Sequence, residues 1–297
     1  MLARVADTAP PESFFVVSAV FHYLGPAFAV LLFARVEVLG VAWLRIATAA
    51  AIFAVLRRPW RAFAALNGAG KRLLIAWGAV LAIMNTCFYV AIDRLPLATV
   101  AAIEFVPVIG LAALGARTRR NALALAFAVV GVYLLTDVRL EGEAVGFAFA
   151  FANAALFAVY IVLAHRVAER GAGAGIDGLA AAMVVATVVV TPIGSASVVP
   201  ALLDPVALAA GIGVGVASSV VPYVADQLAM ARLGRSTYAL MVSLLPATAT
   251  VVGIAVLAQI PSIVEVVGVA LVIAGVAVHR QRSDHATSTA RPSPAER

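Results

Sequence analysis

About twenty consecutive residues, Leu95 to Leu114, carry a single charge, Glu104, near their middle. At 1.5 Å per residue a helix of that length crosses a hydrocarbon core of roughly 30 Å. A carboxylate at that depth costs about 3 kcal/mol on insertion scales, so a chain that keeps one there has a use for it. One turn later Pro107 removes a backbone donor, which at membrane depth is tolerated only against protein or a wet cavity. The segment reads as the inner wall of a solute pathway.

The rest of the chain repeats the pattern. Apolar runs fall at 14–33, 38–56, 73–92, 95–114, 121–137, 144–165, 178–195, 206–231, 236–258 and 262–279. With 64% hydrophobic and 12% charged residues over 297, the chain is not an ordinary soluble domain. An all-α membrane protein of ten spans is predicted, with a polar tail at 1–13 and a disordered one at 280–297. The first run follows Pro10-Pro11-Glu12 without a basic flank or a small-residue cleavage site, so it reads as a retained span. If residue 1 is cytoplasmic, 17 of the 21 Lys and Arg fall in inside segments, and only Arg35, Arg94 and Arg139 fall outside. That bias puts both ends in the cytoplasm. It also explains the net charge of +6 without a nucleic-acid partner.

Tyr89-Val-Ala, Arg94-Leu95, Thr99, Ala101 and Pro107 are answered by Tyr223-Val-Ala, Arg232-Leu233, Thr237, Ala239 and Pro246. The prolines differ by one residue in their offset from the arginines. The first copy turns outside, between spans three and four; the second turns inside, between eight and nine. Two inverted five-helix repeats, 14–137 and 144–279, are therefore expected, an architecture that places one site at the midplane.

Arg45 and Glu104 are the rare intramembrane charges. By helical rise they lie roughly 10 and 14 Å below the outer face, close enough for a long arginine to reach the carboxylate. Glu104 is a candidate to carry a coupling proton or bind a solute ammonium, and Arg45 to receive a carboxylate. A static buried ion pair is the structural alternative. Asn85 and Asn153 are candidate solute contacts or interhelical hydrogen-bonding groups. Tyr89, Tyr160 and Tyr223 either line the pathway or anchor helices at the interface. Asp226 reads as a cytoplasmic gate or as an interfacial acid paired with Arg232 or Arg235. His22 is a candidate pH-sensing group or a packed histidine. Gly25-Pro26 and Pro222 mark expected kinks.

The series Leu44-Arg45, Arg58-Pro59-Trp60, Met84-Asn85 through Phe88-Tyr89, Leu95-Pro96, Ile103-Glu104-Phe105, Gly146 through Ala158-Val159-Tyr160, Pro222-Tyr223 and Arg232-Leu233 resembles the drug/metabolite transporter superfamily, and within it the EamA-type permeases of the threonine/homoserine exporter group. The likeness runs from about residue 14 to 280. It implies a bacterial inner-membrane carrier exporting amino acids or related metabolites and driven by protons, and it leaves a homodimer open. Arg45, Asn85, Tyr89, Glu104, Tyr160 and Tyr223 match the family pattern, and Asp226 falls where relatives carry an acid. Leu244-Leu245-Pro246 stands in place of a Met-Glu-Pro motif, and Ala258-Gln259 in place of Gly-Glu.

Other classes fit less well. A carrier of drugs or sugars would use the same scaffold. An intramembrane lipid-modifying enzyme would cluster acids and histidines near one interface, whereas these charges are central and isolated. No phosphate-cradling Gly-rich loop followed by Lys-Ser/Thr occurs, and no His-Glu-x-x-His pairing. The one cysteine, Cys87, allows neither an internal disulfide nor a thiolate cluster. No cofactor or metal is expected; the partners are a small-molecule solute, protons and the lipid bilayer.

Overall fold

The computed structural model describes residues 10–115, 118–137, 143–168, 174–230 and 245–278, and among them there are helices and no strands. Helix α1 is Pro11–Leu32, α2 Val38–Arg57, α3 the short Pro59–Ala65, and α4 Gly68–Arg94. Then come α5 (Leu97–Gly115), α6 (Arg119–Asp137), α7 (Ala144–Ala168) and α8 (Ala174–Leu203). Helix α9 (Pro205–Gly215) runs through a π-helical turn, Val216–Val220, into α10 (Val221–Met230), followed by α11 (Leu245–Leu257) and α12 (Ile263–Val278). Six helical stretches are long and apolar enough to cross a membrane, and shorter apolar helices accompany them among the described residues. The chain is an all-helical, multi-pass membrane protein.

Local chemistry sets the helix ends. Arg58 adopts a left-handed conformation (φ 50°), ending α2, and Pro59 starts α3 at the position where a missing N–H costs nothing. Asn67 caps α4 by accepting from the Gly70 amide at 2.8 Å. Asp204 does the same for α9, taking the Val206 amide at 2.9 Å ahead of which Pro205 opens the helix. Ser262 and Glu265 form a reciprocal capping box on α12. Helix α8 runs 30 residues, through Pro192 and Pro200, well past the predicted 178–195.

Two large apolar clusters make up most of the core and divide along the helices, with a small third one at Phe15, Ala19 and Ala229. On α2, Val41, Ala42 and Leu44 belong to one cluster, and Ile46, Ala49 and Phe53 to the other. On α4, Trp77 and Leu81 belong to the second and Phe88, Tyr89 and Ile92 to the first. Arg45 and Asn85 sit at the changeover on each helix, so a polar layer crosses the bundle at mid-height. Helix packing is close where glycines face backbone: a Cβ on Gly268 would meet the Gly131 carbonyl at 2.9 Å, and one on Gly275 the Ala124 carbonyl at 2.7 Å, which brings α12 against α6.

Candidate functional site

Arg45 is 5% exposed and Glu104 6%, and neither faces lipid. They are not an ion pair: no Arg45–Glu104 contact lies within salt-bridge distance among the described residues, which corrects the expectation that the arginine reaches the carboxylate. Each has polar partners of its own. Arg45 Nε donates to Ser219 Oγ at 3.0 Å, Nη2 donates to the Ser218 carbonyl at 3.1 Å, and the guanidinium stands 5.3 Å above the Tyr89 ring. Glu104 accepts from Asn153 Nδ2 at 3.1 Å.

The arginine's carbonyl partner has a local cause. Pro222 has no N–H, and in a regular helix that N–H would have bonded the carbonyl four residues back, which is that of Ser218. The helix passes this point as a π turn, Val216–Val220, and the freed carbonyl is taken by Arg45 from the other half of the chain. The predicted kink at Pro222 is thus a docking point for a charge. Gly25 makes the turn accessible to α1, since a Cβ there would meet the Ser218 amide nitrogen at 2.6 Å.

Four side chains of this layer carry a buried polar atom with no hydrogen-bond partner among the described residues: Tyr23 Oη, Tyr89 Oη, Asn153 Oδ1 and Ser218 Oγ. Each belongs to a residue that touches Arg45 or Glu104 or, for Tyr23, lies within electrostatic reach of Glu104. Buried polar atoms are normally satisfied, so this concentration marks a place suited to a polar guest.

The structure therefore gathers Arg45, Glu104, Tyr89 and Asn153 from four helices. Tyr89 is fully buried, which removes the interfacial-anchor reading for it. Asn85 is buried too, but its Nδ2 bonds back to the Leu81 carbonyl of its own helix at 2.8 Å. Tyr160 and Tyr223 pack on the second apolar cluster, Tyr160 with its ring 5.7 Å from that of Trp77. His22 stacks edge-on against Tyr23, their centroids 5.2 Å apart. The side chain of Asp226, together with Arg232, Arg235 and the 280–297 tail, lies outside the described residues. Ser218 and Ser219 read in the sequence only as two of several polar groups at membrane depth suited to interhelical hydrogen bonding, and Tyr23 is a site residue the sequence did not mark. The proline four residues after Ser218 is the signal for one of them.

Two cavities, of about 300 and 560 Å³, open where Asp93 and Arg94 end α4, and both are lined by these two residues. Neither is lined by Arg45 or Glu104. Gln259, which lines the smaller one, accepts through Oε1 from the Leu97 amide at the start of α5 at 3.1 Å, capping that helix with a neutral group.

No family model matches the chain. Over 254 residues it is 30% identical to the threonine/homoserine exporter RhtA of Salmonella typhimurium (strain SL1344), with 84% of each chain covered. It is 29% identical to RhtA of Escherichia coli (strain K12), again over 254 residues and 84% of each chain. A solved crystal structure superposes with a TM-score of 0.59 at 18% identity, covering 90% of this chain and 97% of that one, a likeness of fold alone. With a buried cation and carboxylate set in a polar layer, and with identity at this level over most of both chains, the chain belongs to the EamA-type drug/metabolite transporter family that includes the threonine/homoserine exporters.

Proposed function

We propose that this protein is a secondary carrier of the bacterial inner membrane that exports amino acids or related small polar metabolites in exchange for protons. The observation that carries the reading is the pair of buried, opposite charges in separate polar settings. Arg45 offers guanidinium N–H groups to a carboxylate and Glu104 offers a carboxylate to an ammonium, which together match a zwitterion. The names of the relatives support amino acids that bear a hydroxyl as the first solutes to try.

Alternating access of two inverted five-helix repeats is the mechanism this arrangement suits. Helix pairing supports it when the ten apolar runs are numbered in order. Runs three and six pack (α4 on α7), and so do runs eight and one (α10 on α1). Four on six (α5, α7) is matched by nine on one (α11, α1), and three on seven (α4, α8) by eight on two (α9, α2). Two packs on seven, four on nine and five on ten. Exchanging each run for the one five later maps these pairs onto one another, as any two-fold repeat requires, while four on ten (α5, α12) has no five-on-nine counterpart of similar extent among the described residues. Both ends then lie in the cytoplasm, in line with the distribution of Lys and Arg.

The test is Glu104→Gln in the purified chain reconstituted into vesicles, with efflux of labelled L-threonine and L-homoserine followed with and without a pH gradient. Gradient-driven transport should be abolished while the variant elutes and unfolds as the parent does. Full gradient-driven transport by the variant would remove Glu104 as the proton carrier, and no transport of either solute by the parent would remove the reading as a whole.

A further inference from the structure

Asn153 on α7 and Glu104 on α5 meet with their side chains almost wholly buried, the residues being 1% and 6% exposed. An ionised carboxylate can only accept, so the amide must turn its NH₂ toward Glu104 and its carbonyl oxygen is left over. That oxygen, Oδ1, is buried and has no hydrogen-bond partner among the described residues. A lone acceptor beside a carboxylate calls for a donor that can serve both. A primary ammonium, with three N–H groups and a positive charge, does so in one step. When Glu104 instead holds a proton its O–H becomes a donor, and the amide carbonyl is the acceptor within reach. The acceptor that would have met the ammonium is then occupied.

We infer that Asn153 is a specificity-determining residue that accepts the solute's ammonium at Oδ1 while Glu104 is ionised and accepts the Glu104 proton at the same atom when it is not. Proton and ammonium thereby exclude each other. This rests on the reading of the chain as an amino-acid carrier and adds to it the group that makes the exchange obligatory. The charged and titratable neighbours do not supply the missing donor. Arg45 of α2 and Tyr23 of α1 lie within electrostatic reach of Glu104 but do not bond to Oδ1, nor does His22, which packs against Tyr23 on α1. On α4, Tyr89 and Cys87 are buried without a bond to it. Helix α11 has no titratable side chain, Arg119, Arg120 and Tyr133 of α6 are exposed, and Glu265 is held in the first turn of α12.

The experiment measures binding of labelled L-threonine to the full chain in vesicles, in mildly alkaline and in mildly acidic buffer, for the parent, Asn153→Leu and Asn153→Ala. In alkaline buffer Asn153→Leu should lose about tenfold or more in affinity, as expected for a hydrogen bond to a charged group. Asn153→Ala, which also lacks the acceptor, should lose as much. Acidification should weaken the parent more than either variant, because the parent loses two acceptors and each variant one. If the amide serves only as a donor that holds Glu104 ionised, acidification weakens the variants at least as much as the parent, and that result overturns the inference. Where Asn153→Leu does not fold, Asn153→Ala decides by the same criteria. Absence of saturable threonine and homoserine binding by the parent overturns both this inference and the functional reading. Binding by the parent with an unchanged Asn153→Leu overturns the inference alone.

Discussion

At the scale of single residues, Arg45 shows how a buried charge is kept without a carboxylate in direct contact. Burying an unpaired guanidinium is costly, and a direct carboxylate partner is the arrangement its charge would suggest. Ser219 Oγ, the Ser218 carbonyl and the Tyr89 ring meet the same need with neutral groups. The guanidinium is therefore held but not neutralised, which suits a cation that must still attract an anion. Pro222→Ala tests the origin of this arrangement. The new N–H at 222 competes for the Ser218 carbonyl and lets the π turn relax toward a regular helix. Helix stability should hold or rise, since an internal proline costs about 3 kcal/mol, while KM for the exported amino acid rises. Thermal unfolding and vesicle transport measured side by side check this, and an unchanged KM would detach the π turn from solute binding. Arg45 and Glu104 were legible in the sequence because a charge inside an apolar run is conspicuous. Of their partners, Tyr89 and Asn153 were legible only as candidates and the pairing itself was not, because serine, asparagine and tyrosine occur throughout such runs and only contact distinguishes the few that serve.

At the scale of elements, α2 and α8 are fastened along their whole length. Arg57 donates through Nε to Asp177 Oδ1 at 2.8 Å at one end, Trp43 Nε1 donates to Thr191 Oγ1 at 2.9 Å in the middle, and Ser197 Oγ donates to Glu37 at the other end. Close approach comes from glycine: a Cβ on Gly194 would meet the Leu39 carbonyl at 2.7 Å and Trp43 Cβ at 2.8 Å. Magnitudes separate these contributions. The Arg57–Asp177 pair is about 40% exposed on both sides, and Asp177→Asn should cost no more than about 1 kcal/mol. Gly194→Leu forces two backbones apart and should cost about 1 to 3 kcal/mol or more. Thermal unfolding in detergent ranks the two, and a larger loss from Asp177→Asn would mean that charge rather than packing joins the helices. The sequence located α2 and α8 by hydropathy, but α8 runs beyond its predicted run at both ends and continues through Pro200. It packs against α2 and α4, contacts that a local hydropathy pattern does not report.

At the scale of the whole molecule, α2 and α8 belong to different halves of the chain, so their fastening sets what can move. If the two halves rock during transport, this pair turns as one body while contacts elsewhere open and close. Cysteines in place of Glu37 and Ser197, in a Cys87→Ala background that removes the sole native thiol, allow the pair to be joined by a short thiol cross-linker. Transport should survive cross-linking at close to the uncross-linked rate. Arrest on cross-linking, relieved by a cleavable linker, would show that α2 and α8 separate during the cycle. What the sequence determined by itself is the medium and the element type: long apolar runs, a directional distribution of Lys and Arg, and two charges that water cannot reach. Those are local properties, since the free energy of placing a segment in lipid is set residue by residue along that segment. The tertiary structure alone decided that Arg45 turns to a π turn 174 residues away in the chain. It also decided that Glu104 meets an asparagine with an oxygen to spare. A buried polar group demands a partner without specifying which one, and only the packing of helices distant in sequence makes the choice.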